Sequence, residues 1–367
     1  MKIVITGGNG FIGKNLAVRL REIGSSPIIV DRQADGVLLA EALVHADAVV
    51  HLAGVNRPKH EREFATGNAG FTETLCEALK RAGRPLPVLF ASSARVADDT
   101  PYGRSKAEAE KTLLDYAREA NARVAIFRLP NVFGKWCRPD YNSAVATFCN
   151  NIATGLPITI NDPSSPLSLA YVDDVVDAFI GLLKTQDWPT GRREVAPVYT
   201  TSVGAVADML NGFKAKSVAN TVDIVGTGLQ RALYATYVTY LPRSAFSYPL
   251  KKHEDPRGSF SEFVKTETSG QVSVFTAHPG VTRGGHYHHT KTEKFLIIQG
   301  HALFRFRHIL TDEVHEIATS GDVPTVVETI PGWSHSVENV GDDLLICCLW
   351  ANELFDPARP DTITAKV

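Results

Sequence analysis

The opening MKIVITGGNGFIG confines the start of this chain to one local architecture. A β-branched run, Lys2 to Thr6, passes directly into a glycine-rich turn and then into residues of helical period. Gly7, Gly10 and Gly13 recur at every third position. Glycine allows a tight turn and lets backbone N–H groups approach a pyrophosphate at the positive end of the next helix. The expectation is a dinucleotide-binding turn formed by Gly7, Gly10, Phe11, Ile12 and Gly13. A glycine cluster alone is weak evidence, and the strand before it and the helix after it make it specific.

The first two-thirds of the chain alternates short apolar runs with amphipathic stretches. KIVIT (2–6), PIIVD (27–31), AVVHLAG (48–54), PVLFASS (87–93) and VAIFRLP (124–130) read as strands, with FTETLCEALKRAG and SKAEAEKTLLDYAREA as helices between them. That order implies βαβ units and a doubly wound parallel sheet of Rossmann type. Near YLPRSAFSYPL the character changes to short strands, QVSVFTA, EKFLIIQG, HALFRFRHI and DLLICCLW, broken by Gly, Pro and Asp. Such spacing suggests an antiparallel sandwich or small barrel. The expected fold class is α/β, with residues 1–243 as the dinucleotide domain and 244–367 as an all-β domain.

Composition limits the partners. A net charge of -2 without a basic stripe argues against nucleic acid. No apolar run approaches the ~20 residues that span a bilayer, so no membrane partner is expected. Five cysteines without CxxC spacing argue against a disulfide framework and for a reducing compartment. The N-terminus runs straight into a strand without the pattern of a signal peptide, so the cytoplasm is the expected setting.

Eighteen residues after Gly13 the second strand ends in Asp31-Arg32. A carboxylate there suits the ribose 2′-OH of NAD, and an arginine suits the 2′-phosphate of NADP. NADP(H) is the expected cofactor, with NAD the alternative. Further on, Tyr102 and Lys106 lie four residues apart on a helical stretch and share one face. Tyrosine ionises near pH ~10, so proton donation near neutrality asks for a nearby cation, which Lys106 can supply. Ser93 would hold a carbonyl oxygen while Tyr102 donates the proton.

These features resemble an extended short-chain dehydrogenase/reductase of the branch acting on nucleotide sugars. The likeness covers roughly residues 1 to 240 through TGGNGFIG, HLAG, TGNAGFTETL, SSA, YGRSK, LPNVFG and YVDDVVDA. It implies cofactor contacts from Leu52, Ala53, Gly54, Asn68 and Lys106. It also implies catalysis by Ser93, Tyr102 and Lys106, with Ser92 as the fallback serine. Asn131 is expected at the nicotinamide or the sugar, and Arg138 and Asn142 are candidate substrate contacts. ARVADDT follows the serines where this family often has a VYG-like run.

The stretch GVTRGGHYHHTKTEKFLIIQG has the spacing of the first cupin motif, G-x5-H-x-H-x4-E-x6-G. In a strand His286 and His288 point to one face, and Glu293 can return to it from the next strand. IPGWSHSVEN supplies His335 as the fourth ligand. Three imidazoles and a carboxylate suit Zn, Fe, Mn or Ni, with zinc the first choice. HEDPRGSFSEF and VTRGGHYHH also resemble segments of sugar-nucleotide 3,5-epimerases, themselves cupins. By that resemblance Arg257, Glu262 and Arg283 bind substrate and His286 occupies the position of the base. A ligated His286 has no free lone pair, so the two roles compete.

Fused in this order, the halves resemble the CapF/WbjC-type bifunctional enzymes of capsule and O-antigen synthesis. The resemblance implies a homodimer acting on a UDP-linked 2-acetamido-2,6-dideoxy-4-hexulose, a 4-keto-6-deoxy amino sugar. The cupin would epimerise C3 and the reductase would then reduce C4 with NADPH, towards N-acetyl-L-fucosamine. The alternatives are a 4-epimerase that recycles NAD, with the cupin used for binding or assembly, and a non-catalytic nucleotide-sugar sensor.

Overall fold

The computed structural model describes residues 1–31, 36–185, 187–358 and 360–367. It divides into two compact units, one of Met1–Asn211 with Gly228–Pro242 and one of Gly212–Thr227 with Arg243–Val367.

The first unit is built on a six-stranded sheet in the order Ser26–Val30, Lys2–Thr6, Ala48–His51, Val88–Ser93, Val124–Leu129, Gly191–Arg193. Every neighbouring pair runs parallel. Strands covered by helices on both faces must be apolar along their length, and Ile3, Val4, Ile5, Val49, Val50, Val88 and Leu89 are fully buried. Helix Phe11–Glu22 follows the glycine turn, and helix Pro101–Glu119 carries the tyrosine and lysine. The second helix starts cleanly: Thr100 accepts from the Gly103 N–H at 3.1 Å, and Pro101 occupies a first-turn position where its missing N–H costs nothing. A smaller sheet of Asn131–Phe133, Pro166–Tyr171 and Tyr199–Ser202 completes the unit.

The second unit is a sandwich of a six-stranded and a five-stranded sheet. Strand Gly270–Ala277 shows the alternating burial of a half-covered sheet. Phe275 and Phe295 from one sheet interleave with Phe304, Phe306 and Val337 from the other to form the core. The segment Gly212–Thr227, which the sequence places in the first domain, clusters with this unit instead. Its backbone is paired there: Val222 N–H donates to the Lys265 carbonyl, and Lys265 N–H donates to that of Asn220, each at 2.8 Å.

Candidate functional site

The glycines of the first turn are required sterically. Gly7 sits at φ +71°, and a Cβ there would lie 2.8 Å from the Ala53 backbone. At Gly13 a Cβ would lie 2.4 Å from the Gly7 carbonyl oxygen. Helix Phe11–Glu22 has neither a side-chain N-cap nor an acidic residue in its first turn. Its positive end is therefore free to receive an anion, which fits a dinucleotide pyrophosphate. Asn9 donates to the Asp31 carboxylate, tying the end of the second strand to the turn. Asn9 was not singled out from sequence. Arg32 lies outside the described residues.

Leu52 N–H donates to the Thr6 carbonyl at 3.1 Å, so the HLAG segment runs beside the glycine turn. A Cβ on Gly54 would meet Asn68 Oδ1 at 2.9 Å and Lys106 Nζ at 3.4 Å. Asn68 itself is a buried brace. It accepts from Val55 N–H at 2.7 Å and donates to the Val55 carbonyl at 3.1 Å and to Ser105 Oγ at 2.9 Å. Both ends of its amide are engaged within the protein, and its Oδ1 stands beside Gly54.

The two serines at the strand end separate into distinct roles. Ser92 Oγ donates to Glu110 at 2.5 Å and is committed to a buried network. Ser93, also buried, accepts from Arg95 N–H at 3.1 Å. Lys106 is buried and donates to the Ala91 carbonyl at 3.1 Å, with its ammonium 4.8 Å from the Phe90 ring centre. Burial pulls the Lys106 pKa down to about 8, against the opposing charge of Glu110. Burial raises the Tyr102 pKa, and Ser93 and Arg95 oppose that rise.

Asn131, Arg138 and Asn142 are exposed. Asn131 reaches the Ser168 carbonyl at 3.4 Å, and Arg138 lies over the Tyr141 ring at 5.6 Å. Among the described residues, none of the three is hydrogen-bonded to Ser93, Tyr102 or Lys106.

In the second unit His286, His288, Glu293 and His335 bring one ligand atom each to within 4.8 Å of one another. A glycine-made irregularity positions them. The register between strands Thr282–Tyr287 and Trp333–Asn339 shifts between Gly284 and His286, setting His286 abreast of His335. Gly284 and Gly285 take φ of +93° and +77°, conformations that favour glycine. His288 and Glu293 follow, one just past the strand end and the other at the start of Glu293–Gln299.

The hydrogen bonding gathers donor atoms that suit a cation. His288 Nδ1 donates to the Asp361 carbonyl, which turns Nε2 towards Glu293 Oε2 at 3.2 Å. A ring nitrogen and a carboxylate oxygen at that distance hold either a proton or a metal between them. His335, 4% exposed, has no hydrogen-bond partner at either ring nitrogen, although Nε2 is 3.3 Å from the same carboxylate oxygen. Burial and the neighbouring histidines hold the His286 pKa down at about 4, keeping it neutral. Glu293 is held ionised, well below the usual carboxylate range, because its two histidine partners and Lys291 outweigh its burial. Three imidazoles and one carboxylate are a fitting donor set for a divalent transition metal. Asp361, not singled out from sequence, also accepts from the N–H groups of His289, Thr290 and Lys291 and so fixes the turn that leads to Glu293.

The three expected substrate residues differ. Exposed Arg257 is paired with Asp255 at 2.6 Å, and Glu262 with Lys265 at 3.2 Å. Arg283 pairs in register with Val337, a core residue, and so faces the sandwich interior. Its Nε donates to the Thr276 carbonyl at 3.0 Å and its guanidinium lies 5.4 Å from the Phe275 ring centre. Phe275 adjoins Phe295, which adjoins His335, so an aromatic floor runs from Arg283 to the histidine cluster.

Residues 3–194 match the NAD dependent epimerase/dehydratase family, and residues 253–363 match the polysaccharide biosynthesis C-terminal domain. The UDP-2-acetamido-2,6-beta-L-arabino-hexul-4-ose reductase of Pseudomonas aeruginosa is 49% identical over 100% of this chain and 99% of its own. The crystal structure of the capsular polysaccharide assembling protein CapF from Staphylococcus aureus superposes with a TM-score of 0.93 at 43% identity, covering 100% of both chains. The chain belongs to the CapF-type branch of the NAD dependent epimerase/dehydratase family. The CapF-type members join that N-terminal fold to a C-terminal cupin, as this chain does. A UDP-glucuronic acid 4-epimerase from Bacillus cereus in complex with NAD matches 65% of this chain and 98% of its own at a TM-score of 0.57 and 21% identity, a likeness of fold alone.

Proposed function

We propose that this chain carries out two successive steps on one UDP-linked 2-acetamido-2,6-dideoxy-4-hexulose. The second unit epimerises C3, and the first then reduces the C4 ketone with NADPH, towards UDP-N-acetyl-L-fucosamine. The order follows from acidity: the C3 proton is acidic only while C4 remains a ketone, so inversion precedes reduction.

The observation that carries the reading is the placement of Ser93 at a strand end with Tyr102 and the buried Lys106 on the helix that packs there, beside a glycine cradle. The printed name of the half-identical Pseudomonas relative supports the substrate class. Gly7, Gly10, Phe11, Ile12, Gly13 and the Gly54 cradle would hold NADPH, which when bound supplies the hydride. Tyr102 donates the proton to the C4 oxygen, and Ser93 orients that oxygen. Ser93 is ready for this because its acceptor side is already used by Arg95 N–H. In the second unit His286, His288, Glu293 and His335 would hold a divalent ion, zinc first, which supplies Lewis acidity. Arg283, turned into the sandwich, offers a cation for the oxygen-rich substrate. A homodimer belongs to the same proposal and is tested by light scattering.

A second reading rests on Asp31, which is held at the glycine turn by Asn9 and suits the 2′-OH of NAD. A 4-epimerase that recycles its nicotinamide would interconvert two 4-hydroxy UDP-sugars with no net oxidation. The experiment is to supply the UDP 4-keto sugar with NADPH, and in parallel a 4-hydroxy UDP-sugar without added nucleotide. One NADPH oxidised for each alcohol formed from the ketone supports the reductase, and C4 inversion of the 4-hydroxy sugar with the ketone left unreduced supports the recycling epimerase.

A further inference from the structure

Three consecutive residues of strand Val88–Ser93 hold three residues of one helix face. The Ala91 carbonyl accepts from Lys106, Ser92 donates to Glu110, and the Ser93 hydroxyl opposes the burial that raises the Tyr102 pKa. Tyr102, Lys106 and Glu110 follow one another at four-residue spacing, so they form one stripe along helix Pro101–Glu119. Ser93, Tyr102 and Lys106 have roles in the reductase reading, and Glu110 has none.

Glu110 is only 5% exposed. Its Oε1 accepts from Ser92 Oγ and, at 2.9 Å, from Arg128 Nε, while Oε2 accepts from the Arg128 guanidinium at 2.6 Å. Ser92 and Arg128 are register partners on adjacent strands, so both present their side chains to the same carboxylate. Burying a carboxylate is costly even when it is paired, and an apolar residue would fill the space at less cost. A carboxylate in that position calls for a reason beyond packing.

We infer that Glu110 is a positioning residue of the reductase site: it locks Ser92 next to Ser93 at the strand end, and it sets its charge one helical turn from the buried Lys106 ammonium. The inference rests on the proposed ketoreductase activity.

The surroundings of Lys106 support the second part. Phe90 and the Ala91 carbonyl face it from strand Val88–Ser93. His51 faces it from strand Ala48–His51, and burial keeps that ring uncharged until about pH 3. Arg128, from strand Val124–Leu129, is a permanent cation turned onto Glu110. On its own helix Tyr102 stays neutral, its ionisation raised by burial. Among the described groups named here, Glu110 is the one that opposes the effect of burial on Lys106.

Two readouts test this. The first is the pH dependence of kcat/KM for ketone reduction. The second needs no turnover: the pH dependence of Lys106 acylation by a small anhydride, followed by peptide mass spectrometry in the nucleotide-free protein. Glu110→Gln should move the Lys106 titration and the basic limb of the rate profile down by about one pH unit. Arg128→Gln, which leaves the Glu110 charge unshared, should move both up. Ser92→Ala should lower kcat severalfold and leave the limb in place, and an unchanged kcat overturns the locking role. A Glu110→Gln titration of Lys106 that coincides with the unaltered protein's overturns the charge role. If that variant does not fold, an unmoved or downward titration in Arg128→Gln does so. An unaltered protein that never reduces a 4-keto sugar nucleotide defeats the proposed function, while the acylation curves still decide the charge of Lys106.

Discussion

His335 Nε2 lies 3.3 Å from Glu293 Oε2, yet neither nitrogen of this buried ring has a hydrogen-bond partner. A histidine so placed is poised to ligate. Purified protein should carry about one divalent ion per chain, and His335→Ala should weaken metal affinity by at least about 100-fold. Metal analysis after dialysis against graded chelator measures this. The melting temperature of the second unit should fall on chelation and recover on adding metal, because binding to the folded state alone stabilises it.

The two sites are expected to fail independently. Tyr102→Phe removes the proton donor, and reduction should drop by about 10²- to 10⁴-fold. Deuterium uptake at C3 from D₂O should stay within about twofold of normal, since the histidine cluster is untouched. NMR of the recovered keto sugar separates the two.

The parallel sheet was legible because its strands are short apolar runs bounded by turn residues, and KIVIT coincides with Lys2–Thr6 residue for residue. The histidine cluster was legible because its spacing is local, with one distant partner in His335. What remained hidden depends on tertiary contact. Asp361 is 73 residues from His288 in the chain, and no pattern announces that its carbonyl orients that ring. Ser92 and Ser93 are chemically alike, and only the Glu110 network tells them apart. Glu110 did carry a signal, a carboxylate one turn after Lys106, but exposed helices carry such pairs routinely. The GG pair at 284–285 marked an irregular strand, whose effect appears only in the shifted pairing with His335. Lys106 was placed on the correct face, and what sequence could not show is that the Ala91 carbonyl holds it.

Acid should destabilise the first unit through His51. This fully buried ring joins Thr6 Oγ1 at 2.6 Å to Thr72 Oγ1 at 2.9 Å, and Thr72 donates onward to the Asn68 carbonyl. Burial lowers its folded pKa to about 3, below the 6.5 of the free side chain. The stabilisation is therefore complete above pH ~6.5 and is lost as pH falls towards ~3, by up to on the order of 4 kcal/mol. His51→Gln, uncharged at every pH, should flatten that part of the profile. Urea unfolding of the first unit between pH 4 and pH 7 checks it.

Gly13→Ala should disturb the cofactor turn more than its single methyl suggests. The added Cβ would lie 2.4 Å from the Gly7 carbonyl and 2.6 Å from Gly8 Cα, both backbone atoms. The turn must open, at a cost of about 1–3 kcal/mol, and NADPH affinity should fall about tenfold or more. Isothermal titration gives the affinity, and the melting temperature gives the strain.

The most direct test of two linked steps on one ketone is product analysis in D₂O with limiting NADPH. The expected product carries one deuterium at C3, and one NADPH is oxidised for each C4 alcohol formed. An alcohol that keeps its original hydrogen at C3, or a ketone left unreduced while NADPH remains, would contradict the account.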